Sequence, residues 1–81
     1  MNTTAIKNKL KQVPFAPFEI VVSSGDRYRV DHPDNVLLTK EAAVVGYGKP
    51  QKPGTLPDDF IILSYLHIAS IEPTTPKTVR N

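Results

Sequence analysis

The chain has 81 residues, no Cys, two His and a formal net charge of +2. That length holds one domain, and the absence of Cys excludes disulfides and thiolate metal sites. So small a net charge excludes a nucleic-acid reading from charge alone, and a core this small leaves a thin stability margin, which makes a homo-oligomer a reasonable expectation.

Residues 4–12 predict a short helix. Thr3 or Thr4 can cap it, and Ile6, Leu10 and Val13 fall on one face. Pro14 ends it. Nine residues do not hold a helix alone in water, so Ile6 and Leu10 must lie on a sheet. Phe15, bracketed by Pro14 and Pro17, is expected to plug one end of the core.

The clearest signal is a β-hairpin. Phe18–Ser23 and Arg27–Asp31 alternate apolar and polar residues about Ser24-Gly25-Asp26. Phe18, Ile20, Val22, Tyr28 and Val30 are expected to face inward. His32-Pro33-Asp34-Asn35 breaks the sheet. Val36–Leu38 and Ala42–Gly46 read as further strands about a tight turn, with Ala42 and Ala43 leaving room for Phe18 or Phe60. Residues 47–57 hold three Pro, two Gly and two Lys, an irregular loop that is either functional or disordered. Phe60–Leu63 is a wholly apolar strand. Ser64 can cap one turn, Tyr65-Leu66-His67, before a last strand at Ile68–Glu72. Residues 74–81 read as a disordered tail. The expected fold is mainly β: a small, strongly bent antiparallel sheet or barrel of five to six strands with an N-terminal helix, all within 1–73.

No apolar run approaches the ~20 residues of a spanning helix, and the first twelve residues lack a signal-peptide core. The expectation is a soluble, cytoplasmic protein with no membrane partner. Positive charge gathers at the N-terminus, the 47–57 loop and the tail. The body, 13–46 with 58–72, has three basic against eight acidic side chains, a net −5.

The motif Pro14-Phe15, Pro17-Phe18-Glu19-Ile20, Gly25, Tyr28, Val30, His32-Pro33-Asp34 and Leu66–Pro73 resembles a family of short uncharacterised bacterial proteins. It spans about three quarters of the chain and implies no activity. A second resemblance is to Sm-like small β-barrels, including the bacterial host-factor RNA chaperones, through the opening helix, the Gly turn and Tyr65-Leu66-His67-Ile68-Ala69-Ser70. It implies edge-paired rings and RNA at the inner rim. Leu66 stands where that family has a basic residue, so the barrel shape carries over better than RNA binding.

Candidate partner-binding residues are Lys7, Lys11, Arg27, Arg29, Tyr47, Lys49, Lys52, Tyr65 and His67, because cations beside aromatic rings suit single-stranded nucleic acid. Arg27 and Arg29 read equally as cross-strand ion pairs on a wet face. Val21, Ile61 and Leu63 lie opposite the expected core face; an interface or cover by the helix accounts for them. Asp31, His32, Asp34 and His67 are a weak metal or acid–base set. No nucleophile elbow, phosphate loop, catalytic residue or cofactor motif is present. Three functions follow: a non-enzymatic binding or assembly module acting through sheet edges as a homo-oligomer, an RNA or single-stranded DNA binder, or a small His-dependent metal protein.

Overall fold

A computed structural model describes residues 3–47, 57 and 59–74. The order is α1 (Thr3–Lys11), β1 (Phe18–Val22), β2 (Arg27–Val30), a 3-10 turn at Pro33–Asn35, β3 (Val36–Leu38), β4 (Ala42–Tyr47), β5 (Asp59–Ser64), a second 3-10 turn at Tyr65–His67, and β6 (Ile68–Pro73). The fold is mainly β with one N-terminal helix, as its alternation and turn residues predict. The strands form two three-stranded antiparallel sheets, ordered β2-β1-β6 (sheet A) and β3-β4-β5 (sheet B). The two 3-10 turns carry the chain between them. No hydrogen-bonded ladder joins the sheets into a closed barrel among the described residues.

The hairpin has the expected register, with Phe18 opposite Val30 and Ile20 opposite Tyr28. Gly25 supplies the turn at φ +96°, a left-handed conformation that costs an L side chain strain. The amide of Gly25 donates to the Val22 carbonyl at 2.9 Å, and that of Val22 to the Asp26 carbonyl at 3.0 Å. β6 pairs on the other side of β1, with a register shift at Val21/Val22.

The inner faces of both sheets meet in one core. Ile6, Phe18, Ile20, Val30, Ala43 and Val45 are completely buried, with Leu63, Tyr65 and Ile68 beside them. Leu10, Phe15, Tyr28 and Ile61 pack against this cluster. The Phe15 ring lies 6.0 Å from that of Phe18, tilted 59°, which closes the core where the sequence placed it. Ala43 supplies the expected space; Phe60 does not fill it.

Two expectations need correction. Val13 is 93% exposed rather than on the helix face. α1 stops at Lys11 because Pro14 has no amide to extend the ladder, and the last turn closes instead through the Gln12 amide to the Lys9 carbonyl. The second concerns β5. Its inward residues are Ile61 and Leu63, and its outward ones Phe60 and Ile62, the reverse of the expected parity. The β4 ladder fixes this: Leu63 pairs with buried Ala43 and Ile61 with buried Val45. A one-residue change of register exchanges the two faces of a strand.

The expected disordered tail falls mostly on residues 75–81, which lie outside the described residues. Thr74 still reaches the Pro17 carbonyl at 3.5 Å.

Candidate functional site

The outer faces of the two sheets differ sharply. Sheet A is built for water. Glu19 faces Arg29 and Glu72 across the strands, and Val21 lies half-buried between Arg27 and Ser70. The Arg27 guanidinium reaches over β1 to bond both Glu19 (2.9 Å) and Glu72 (3.0 Å). Its stem therefore crosses beside Val21, so Val21 is shaded by a salt bridge rather than presented as an interface. Ser70 also donates to Glu72 at 3.0 Å. Arg29 pairs with Asp31. Arg27 thus pairs across the strands as expected, while Arg29 pairs along its own strand.

The same contacts raise the Arg27 pKa, chiefly through hydrogen bonds to Glu72 and then Glu19. Glu72 is held below the usual carboxylate range, first by its hydrogen bond with Arg27 and then by that with Ser70. A carboxylate with a lowered folded pKa stabilises the fold above its unfolded pKa, and that contribution fades as pH falls through the folded value. Arg27 and Glu72 are each about half exposed and so screened by water, which keeps the effect small. Urea unfolding at neutral and acidic pH should show a slightly steeper acid loss for the native chain than for Glu72→Gln; identical slopes would remove the pair from the stability of the fold.

Sheet B presents a different face. Leu37 on β3, Val44 on β4 and Ile62 on β5 are mutual cross-strand partners and form one apolar row. Leu37 is 64%, Phe60 60% and Ile62 63% exposed. Between them β4 turns out only Ala42, Val44 and Gly46. A methyl placed on Gly46 would come within 2.8 Å of the Pro57 ring, so Pro57 closes that end of the face. No outward position of β3, β4 or β5 between residues 37 and 64 carries a charge.

The edges also differ. β2 is short and carries two paired arginines. β3 has three residues and follows Pro33. β6 is irregular opposite Val21/Val22 and ends on Glu72 and Pro73. These features discourage strand addition. β5 follows Pro57 and begins on Asp59, whose carboxylate accepts from the Phe60 amide at 2.7 Å, but its next four residues are all apolar, it pairs with β4 without a bulge, and no described strand lies on its outer side.

The remaining candidates separate as follows. Lys7 and Lys11 are exposed on α1. Lys49 and Lys52 lie outside the described residues. Tyr47 packs edge-on against Tyr28, ring centroids 5.8 Å apart, so its ring is engaged from the protein side. Tyr65 is a core residue, not a binding surface; its hydroxyl donates to the Thr39 carbonyl at 2.6 Å. Leu63 is likewise core, 7% exposed, and Ile61 packs against it from the same side of β5. His67 is exposed, and its carbonyl accepts from the Ser23 amide (2.8 Å) and hydroxyl (3.1 Å), tying the second 3-10 turn to the hairpin. His32 caps the first 3-10 turn, its Nδ1 accepting from the Asp34 amide at 3.1 Å. Ser64 caps the second, as its sequence position predicts, accepting from the Leu66 amide at 3.3 Å. Among the described residues no three His, Asp or Glu side chains gather as a metal-holding group. No described helix is long and apolar enough to cross a membrane.

The residues that sequence reasoning missed are Phe60, Ile62, Leu37 and Val44. The available signal was β4, where Ala43 and Val45 have the β-strand spacing of a packed face; pairing that strand with β5 sets which of its residues turn out. No family model matches the chain, and no curated protein or solved structure matches it significantly.

Proposed function

We propose that this chain is a non-enzymatic assembly module that joins copies of itself through sheet edges, and that the outer edge of β5 is the joining strand. The observation that carries this reading is the β5 edge: twice the length of β3, apolar from Phe60 to Leu63 and unbulged, with its one charge, Asp59, confined to the strand's start. An open edge offers unpaired amides and carbonyls, and a second copy of β5 can satisfy them in an antiparallel ladder. Homo-oligomer formation follows from the same edge.

Several of the described polar side chains that could serve chemistry are engaged in local structure. His32 and Ser64 cap turns, Ser23 links the hairpin to the second turn, and Thr39 closes the β3–β4 turn on Ala42. The nucleic-acid reading draws no support from Arg27 and Arg29, whose charges already meet carboxylates.

Sedimentation velocity across a concentration series tests the proposal. The expected result is a mass that rises from one chain toward two or more, with little dependence on salt. A single-chain mass at the highest concentration overturns it.

A further inference from the structure

We infer that the outer face of sheet B, separately from the β5 edge, packs face to face against the same face of a second copy. Edge pairing extends a sheet but leaves its faces in water, so the Leu37–Val44–Ile62 row and Phe60 would stay exposed in an edge-paired assembly. The face requires an occupant of its own.

Three observations select a second copy. The first is charge. Sheet A turns outward Glu19, Arg27, Arg29 and Glu72, whereas the outward positions of sheet B carry no charge. A charged partner therefore finds nothing to pair with, and an uncharged face is complementary to itself.

The second is relief. Large side chains stand on β5 (Phe60, Ile62), and small ones line the central strand beside them (Ala42, Val44). A two-fold axis running along β4 sets the β5 ridge of each copy over β3 of the other, so that Phe60 and Ile62 stand beside Leu37 across the β4 trough. Pro57 fills the trough at Gly46 and fixes where the ridge must stop.

The third is area. Leu37, Phe60 and Ile62 are each about three-fifths exposed. That amounts to roughly 100 Å² of apolar side chain apiece, or roughly 600 Å² in a symmetric pair. An interface at the low end of the stable range buries about 1,200 Å², of which about 60% is apolar. The row supplies most of that apolar core.

The test uses the full chain with Val44→Lys and, independently, Leu37→Lys. Val44 lies on the central strand, so its substitution leaves the β5 edge untouched; both side chains point outward, and circular dichroism reports whether the fold is kept. The expected result is a folded protein whose self-association is weakened at least about a hundredfold, because the lysine ammonium would be buried without a partner. In the unsubstituted chain, the methyl resonances of Leu37, Val44 and Ile62 should shift with protein concentration. If both variants associate as tightly as the native chain, and those methyls do not move, face pairing is wrong and the edge reading stands. If the native chain associates, the methyls shift and the β5 amides gain no protection, the edge reading fails and face pairing stands. Native protein that stays monomeric overturns both.

Discussion

Leu63→Asp should unfold the protein, and Ile62→Asp, one residue away on the same strand, should leave it folded. Leu63 is 7% exposed and pairs across the ladder with fully buried Ala43. A carboxylate there sits in the core with no cation near it, at a cost of about 4 kcal/mol or more. Ile62 is 63% exposed on the opposite face. Aspartate at that position loses mainly strand preference, about 1 kcal/mol. Chemical denaturation of the two variants at low protein concentration, where association makes no contribution, measures the difference. Equal destabilisation, or the reverse order, would mean that β5 is turned the other way.

Phe18→Ala should be nearly as severe. Phe18 is completely buried in the first strand of sheet A, against Phe15 and opposite Val30. Removing its ring leaves a cavity and costs about 3–5 kcal/mol. A chain of this length has only about 4–12 kcal/mol of stability in total. The variant should therefore show a urea midpoint near zero, or no folded baseline at all. Phe60→Ala provides the contrast: the same ring removed from the outer face of sheet B should shift the midpoint little. A stable Phe18→Ala protein would contradict the position of the core.

The parts of the fold that were legible share one property: each was written within a few neighbouring residues. The hairpin was readable because Phe18, Ile20 and Val22 alternate with polar residues up to a glycine turn. The Ser64 cap was readable because a hydroxyl stands at the start of a single turn. The Arg29 pairing was readable because Asp31 stands two residues on along the same face, whereas Arg27 finds its carboxylates, Glu19 and Glu72, on other strands. β5 was not readable, because Phe60–Leu63 is apolar at every position and carries no alternation. Its orientation is decided by residues some twenty positions away, through the pairing of Ile61 with Val45 and Leu63 with Ala43. Val21, Ile61 and Leu63 were therefore expected on an outer face, at an interface or under the helix, whereas on sheet B the exposed apolar residues are Phe60, Ile62 and Leu37. Tyr65 misled for a related reason. A tyrosine in a short turn looks like a surface ring until the Thr39 carbonyl is found beside its hydroxyl.

The two outer faces also explain why composition said little about function. Charges of both signs cancel within sheet A, where Arg27 joins Glu19 and Glu72, while sheet B carries none on its outer side. The net charge of +2 is set largely by lysines and arginine in the N-terminus, the 47–57 loop and the tail, and neither surface is visible in it.

Hydrogen exchange along β5, followed from dilute to concentrated protein, tests strand addition at the β5 edge most directly. The account predicts that amides of Phe60–Leu63 directed away from β4 exchange more slowly as concentration rises, while those of β2 and β6 keep their rates. Rates in β5 that do not change with concentration would contradict it.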